Sequence, residues 1–151
     1  MSPDEWADRM SLLATVAASH GAGWVTVFPY GSRTSLERRM TPKLDRIAGV
    51  RVSVCPHPDG RARIAETLRE VRGEVFDESS IEGLLHGEAG EPDLVVVLGS
   101  NDRLPPSLVW ELAYSELVFL PVDWSVLDAE RLDDAIGVYF GRERRFGGVD
   151  E

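Results

Sequence analysis

The sequence predicts one α/β domain with a mainly parallel sheet flanked by helices, and three observations carry that expectation. Leu94–Leu98 (LVVVL) is a continuous aliphatic run, the pattern of a strand buried on both faces of a parallel sheet. Val50–Cys55 (VRVSVC) alternates apolar and polar residues, and Trp24–Phe28 (WVTVF) is rich in β-branched and aromatic types. Segments of helical spacing lie between these runs, and strands separated by helices imply a layered α/β fold. The 151 residues suit one domain with a real core, and no repeat, linker or low-complexity tract divides them.

Taken in order, the first element is a punctuated helix. Ser2 is placed to cap it, Pro3 suits the first helical position and Glu5 completes a capping box. Trp6, Met10, Leu13 and Ala17 then form one apolar face, and Gly21 and Gly23 end the helix. The strand Trp24–Phe28 stops at Pro29-Tyr30-Gly31. Ser32–Arg46 is basic and weakly patterned and reads as a loop with a short helical piece. After the strand Val50–Cys55, Pro56-His57-Pro58-Asp59-Gly60 makes a turn, and a helix is predicted over Arg61–Arg72 with Ile64, Leu68 and Val71 on one side. Ile81, Leu84 and Leu85 predict a further short helix. Beyond the aliphatic strand, Ser107–Glu116 is predicted helical, Leu117–Leu120 a short strand, and the last helix runs from an Asp128 cap through Leu132, Ile136, Tyr139 and Phe140.

Composition excludes several function classes. The net charge of -10 argues against nucleic acid, since phosphate backbones require clustered Lys and Arg, and against adhesion of the fold to an anionic membrane. The single cysteine, Cys55, permits no internal disulfide and fits a reducing cytoplasm. No apolar run reaches the length of a membrane span, and the acidic start Ser2-Pro3-Asp4-Glu5 is unlike a signal peptide. The expectation is a cytoplasmic protein, peripheral to a membrane only through a partner or product. His20, His57 and His86 lack metal-ligand spacing with one another, Cys55-Pro56-His57 offers too few ligands for zinc, and no G-x-S-x-G, G-x-G-x-x-G or Walker-type loop occurs.

The C-terminal half carries a more specific signal. Pro92-Asp93-Leu94-Val95-Val96, then Leu108-Val109-Trp110-Glu111-Leu112-Ala113-Tyr114-Ser115-Glu116-Leu117, then Trp124, Leu127-Asp128 and RERRFGG at Arg142–Gly148 follow in one order. In this combination the stretch resembles the C-terminal part of the cis-prenyltransferases, the undecaprenyl diphosphate synthase family. Weaker similarity extends upstream: Leu12–Ser35 looks like the family's helix, strand and serine-bearing loop, and Val50–Val71 like its strand, Gly-Gly-Arg turn and helix, reduced here to Asp59-Gly60-Arg61. The resemblance implies a trimmed form of that fold spanning residues 1–151, with a C-terminal R-x-G tail at 142–148.

Departures from the family pattern bear on activity. Family enzymes open with a strand and a D-G-N-G-R-W motif whose aspartate organises Mg²⁺ and the allylic diphosphate; this chain begins after that point. Only Leu36–Ala48 separates flanks that in the family enclose a long helix and a further strand, so part of the tunnel wall is expected to be missing. Where the family has R-T-x-G-E-x-R-x-S, this chain has Val97-Leu98-Gly99-Ser100-Asn101-Asp102-Arg103-Leu104-Pro105. Arg103 matches the second arginine. Val97, Asn101 and Pro105 replace the first arginine, the glutamate and the serine, and neither valine nor proline has a side chain that donates to phosphate. Glu116 matches the family's metal-linked glutamate without its aspartate partner, and a lone carboxylate is a poor Mg²⁺ site unless substrate or another chain completes it.

The tail is retained. In the family, the R-x-G crosses the dimer interface to the neighbouring subunit's isopentenyl diphosphate, and Arg145-Phe146-Gly147 matches it. Guanidinium pairs bidentately with phosphate oxygens, and glycine lets the backbone N–H approach closely. Heteromeric members such as the Nogo-B receptor type keep this tail and lose their own catalytic residues. The resemblance therefore implies a non-catalytic partner subunit, inactive alone. Its expected partner is a full-length catalytic cis-prenyltransferase, as a heterodimer or heterotetramer, with Mg²⁺ held mainly by partner and substrate. Arg145, Gly147 and Arg103 are the expected substrate contacts; Trp110, Tyr114, Leu117 and Phe119 the expected interface; Glu116 a vestige of the metal site. The alternative is a regulatory or prenyl-diphosphate-binding homodimer of the same fold; a small enzyme acting alone is disfavoured by the missing aspartate motif, Val97 and Pro105.

Plainer readings stand beside these. Arg142, Arg144 and Arg145 complement the carboxyl end of a helix, and Gly147-Gly148 is an ordinary helix stop. Trp110, Tyr114 and Leu117 serve core or interface equally well as large apolar anchors. Ser32 and Thr34 read as turn chemistry, and Arg103 either binds phosphate or pairs with Asp102 or another surface carboxylate.

Overall fold

The structure is a computed structural model and describes residues 3–29, 44–55, 59–99 and 103–146. Helix α1 spans Pro3–Ser19 and buries Met10, Leu13, Ala14, Val16 and Ala17, the apolar face set by its helical spacing. Strand β1 (Trp24–Val27) pairs in parallel with β3 (Val50–Val54), Val25 opposite Val52. The expected alternation in β3 is present: Val50, Val52 and Val54 are buried on one face, and Val50 and Val52 join α1 in the core. Arg51 and Cys55 on the other face meet Glu88 and Arg63.

Strand β2 (Leu44–Ile47) falls where a loop with a helical piece is expected. It runs antiparallel to β3 through a two-residue turn, Ala48-Gly49, whose φ angles of 50° and 81° are both positive. Two left-handed central residues are the signature of the turn that matches strand twist. The β2 strand is legible only through that turn, since Leu44-Asp45-Arg46-Ile47 carries little β preference.

Helix α2 (Gly60–Glu70) opens on an Asp59 cap that accepts from the Arg61 and Ala62 amides. Gly60 is required by close packing. Its N–H donates to Pro106 O at 2.9 Å, and an added Cβ would lie 2.5 Å from Ser107 O. Helix α3 (Glu78–His86) begins with a reciprocal capping box between Asp77 and Ser80. Strand β4 (Leu94–Leu98) pairs in parallel with β5 (Glu116–Leu120), and α4 (Ala129–Phe146) closes the described chain. Asp128 Oδ1 caps α4 by accepting from Arg131 N.

Three further expectations are corrected. Helix α2 buries Arg63 and Thr67, whereas Leu68 on the expected apolar side is 42% exposed. Ser107–Glu116 is not a helix: Pro105-Pro106 starts a turn, only Glu111–Ala113 forms a single 3-10 turn, and β5 begins at Glu116. Tertiary demands override the helical pattern, since Ser107 packs under Gly60, Glu111 turns inward and Ser115 Oγ donates to Pro92 O at 2.6 Å. Nor is β4 a central strand buried on both faces. The sheet is split, with order β1-β3-β2 in one part and β4-β5 in the other, and only Val97 of β4 is buried. The fold is α/β and mainly parallel as expected, with α1 packed on β1 and β3, and α4 on β4 and β5. The core joins Met10, Leu13, Val50, Val52, Leu127 and Leu132, each buried aliphatic contributing roughly 1.5–3 kcal/mol. Ser2, Ser32, Thr34 and the turn Pro56-His57-Pro58 lie outside the described residues.

Candidate functional site

The end of α4 is fixed to β5 by one side chain. Arg142 Nη1 donates to Leu117 O at 2.8 Å and lies 3.4 Å from Glu116 Oε2. The helix is amphipathic, burying Leu132 and Ala135, so this contact sets the direction in which the chain leaves the domain. Arg145 lies in the last turn of α4, and Gly147 lies outside the described residues.

Glu116, the expected metal vestige, sits at the first residue of β5 and is spent on Arg142. Among the described residues no three His, Cys, Asp or Glu side chains cluster as metal ligands. Mg²⁺ demands near-octahedral oxygen coordination, so this one ion-paired carboxylate does not fit the ion by itself.

The segment from the end of β4 to Pro105 shows the same incompleteness. Val97 is 2% exposed and Pro105 is buried, so the positions matching the family's first arginine and serine face inward and offer no side-chain donor. Arg103 is exposed, with no ion pair among the described residues. Asn101 and Asp102 lie outside them.

The expected interface residues divide into two groups. Trp110 and Tyr114 line one small pocket with Ile64 and Val109; Trp110 is half-buried, whereas Tyr114 is 75% exposed. Leu117 and Phe119 share one face of β5, opposite the buried Val118, and Phe119 is 37% exposed. Tyr114 is thus too exposed to be core, whereas Trp110 and Leu117 are anchored enough to present a fixed apolar surface.

Beneath this segment lies a charged cluster that the sequence reading missed. Glu111 is fully buried; its Oε1 accepts from Arg63 Nη2 and lies 2.9 Å from His86 Nε2. Arg63 also reaches Cys55 Sγ and stacks on Phe28 at 5.3 Å. Burial pushes the Glu111 carboxyl up, but hydrogen bonds from His86 and Arg63 and the Arg63 charge outweigh it and hold it at about 2. The three residues come from three elements, and no spacing in the sequence links them. A glutamate set among Leu108, Val109, Trp110 and Leu112 was the available signal.

Known proteins resemble the chain along most of its length. A family model described as putative undecaprenyl diphosphate synthase matches residues 6–147. The isoprenyl transferase of Neisseria meningitidis serogroup B is 30% identical over 132 residues, covering 80% of this chain and 53% of that protein. The isoprenyl transferase of Nitrosomonas europaea is 33% identical over 138 residues, covering 91% of this chain and 40% of the relative. That of Rhizobium meliloti is 34% identical over 137 residues, covering 91% and 48%. The chain spans about half the length of the curated relatives it matches.

Proposed function

This chain belongs to the undecaprenyl diphosphate synthase family, and on that premise we propose that it is an accessory subunit of a heteromeric cis-prenyltransferase. The observation that carries the reading is the buried Val97 and Pro105 beside a retained RERRFGG tail. A diphosphate site within one chain needs several converging donors. Here two of those positions face inward, whereas the tail begins within a helix that Arg142 fixes to β5.

In this reading a full-length partner supplies the allylic site and the tunnel. Mg²⁺ belongs to the partner and the diphosphates, because Glu116 alone does not suit it. The complex joins isopentenyl diphosphate to an allylic diphosphate: the allylic C–O bond breaks, diphosphate leaves, a C–C bond forms, a proton is lost and the new double bond is cis. Arg145 contributes a guanidinium to the isopentenyl diphosphate oxygens, Gly147 contributes its amide, and Arg103 adds a positive charge from an exposed position. Trp110, Tyr114, Leu117 and Phe119 form the surface that the partner covers.

The test is co-purification with the host's full-length homologue, followed by incorporation of radiolabelled isopentenyl diphosphate. Incorporation by the mixture and by neither protein alone supports the accessory role. A partner whose turnover is indifferent to this chain overturns it and favours the regulatory or prenyl-diphosphate-binding homodimer.

A further inference from the structure

The small pocket beside Trp110 has a volume of about 200 Å³ and is built by four separate segments. Ile64 of α2, with Val109 and Ala113, gives it an apolar wall, and Trp110 and Tyr114 add two aromatic rings. Glu78, the first residue of α3, and Glu91, between α3 and β4, complete the lining with two carboxylates. The indole is a fixed wall, because the next residue, Glu111, is buried against Arg63 and His86. Tyr114 is mostly exposed, so its ring offers a face that nothing in the domain core uses.

The two carboxylates lack a countercharge. Among the described residues neither Glu78 nor Glu91 forms an ion pair. Glu91 is half-buried, and its N–H donates to Glu82 Oε1 at 2.7 Å, which brings a third carboxylate close. Burial first, and then the charges of Glu82, Glu78 and Glu111, push the Glu91 carboxyl up, opposed by His86. A partly buried acid crowded in this way gains most from a cation, and the same charges repel phosphate. Among the described residues no three His, Cys, Asp or Glu side chains converge here for a metal ion. The volume is also below the roughly 300–1,000 Å³ usual for small-molecule sites. What fits is an alkyl stem against Ile64, Val109 and Ala113, carrying a positive charge to the rings and carboxylates.

We propose that this pocket receives one arginine side chain of the catalytic partner, its guanidinium stacked on the Trp110 and Tyr114 rings and paired with Glu78 and Glu91. Arginine suits the site better than lysine, because a planar guanidinium stacks on aromatic faces and pairs with a carboxylate through two N–H groups. A second copy of this chain is a poor source of that arginine, since at a net charge of -10 two copies repel each other. Charge complementarity calls instead for a partner with a basic surface. The proposal rests on the accessory-subunit reading for the identity of the partner, whereas the chemistry of the pocket does not.

The test titrates the intact chain with N-acetyl-arginine amide and with its neutral isostere, N-acetyl-citrulline amide, following the indole N–H of Trp110 by NMR at constant ionic strength. A saturable shift is expected with arginine, and about tenfold weaker binding with citrulline. Glu78→Gln combined with Glu91→Gln is expected to bring arginine down to the citrulline level without loss of stability. Glu78 is exposed, and the change at Glu91 removes a repelled charge. No saturable shift, or equal binding of citrulline, overturns the pocket. The full-length homologue is then titrated into both chains, and it is expected to bind the double variant about tenfold more weakly. Equal affinity for the two chains overturns the arginine contact and leaves the accessory-subunit reading intact. A homologue that binds neither chain, with the blocked arginine still bound, overturns that reading and the partner proposed here, whereas the cation pocket stands. Self-association of the wild type that the double substitution abolishes would assign the arginine to a second copy and overturn the partner.

Discussion

Arg63 and Glu111 form a buried ion pair across 48 positions of sequence, joining the first turn of α2 to the segment that carries Trp110 and Tyr114. Glu111 has no exposed surface and the Arg63 side chain is 7% exposed, so neither charge has water as an alternative partner. A pair of this kind adds little net stability compared with apolar residues of equal volume, but breaking one side is costly. Its consequence is positional: it holds the start of the 3-10 turn Glu111–Ala113 against α2.

Glu111→Ala is expected to destabilise the fold by about 3–5 kcal/mol, leaving Arg63 buried and uncompensated. Arg63→Met with Glu111→Leu is expected to recover most of that loss. Urea denaturation of the three variants checks both statements. A double variant as unstable as Glu111→Ala would show that the pair contributes more than mutual compensation.

The same carboxylate predicts an acid limb. Its folded value of about 2 lies below the ordinary 4.5, so the unfolded chain binds more protons between the two. This contribution is complete above about pH 4.5 and is lost as pH falls toward 2, a total of about 3 kcal/mol. Glu111→Gln is expected to flatten the unfolding free energy over that window relative to the parent, read from denaturation curves at stepped pH. An unchanged slope would place the acid sensitivity elsewhere.

The β2–β3 turn gives a stabilising change. Ala48 sits at φ 50°, a left-handed conformation that costs a residue with a Cβ roughly 1–2 kcal/mol, and Gly49 follows at 81°. Asn-Gly is the preferred pair for this turn. Ala48→Asn is expected to raise stability by about 0.5–1 kcal/mol, visible as a higher midpoint in thermal or urea unfolding.

What was legible in the sequence and what was not divide along physical lines. Strand β3 and helices α1 and α4 follow from local periodicity, because each buries a face that the pattern itself declares, whereas α2 buries Arg63 and Thr67 in place of the apolar side its spacing declares. The turn Pro105–Ala113 was misread because its conformation is set by distant partners, Gly60 below Ser107 and Arg63 beside Glu111. Strand β2 was missed because its pairing is specified by Ala48-Gly49 rather than by its own residues. Of the site, the RERRFGG motif was readable as a string, but Arg142 as the bolt between α4 and β5 required the tertiary structure. The split between β1 and β4 has no local signature at all.

Tyr114 separates the proposed interface from the core. At 75% exposure, Tyr114→Ala is expected to change the stability of the isolated chain by less than about 0.5 kcal/mol. In the accessory-subunit reading it weakens association with the catalytic partner by about tenfold or more, as loss of an aromatic anchor does. Calorimetric titration of partner into wild type and variant reads the difference directly. Unchanged affinity would move the interface away from this pocket.

The tail is best tested with a cut that spares its support. Truncation after Phe140 removes Arg142 and with it the bond to Leu117 O, so loss of activity would mix a missing donor with a loosened helix. Truncation after Arg142 keeps that anchor. In the accessory-subunit reading it leaves the heteromer assembled and lowers its turnover by about 100-fold or more, the scale of removing one oriented donor from a charged reacting group. Arg145→Lys keeps the charge but loses the two-pronged geometry. It is expected to raise the KM for isopentenyl diphosphate and leave that for the allylic diphosphate unchanged. Parallel rises in both constants would point to general disruption. Full activity after truncation at Arg142 would show that the RERRFGG tail is only the end of a helix, its arginines complementing the carboxyl terminus of α4.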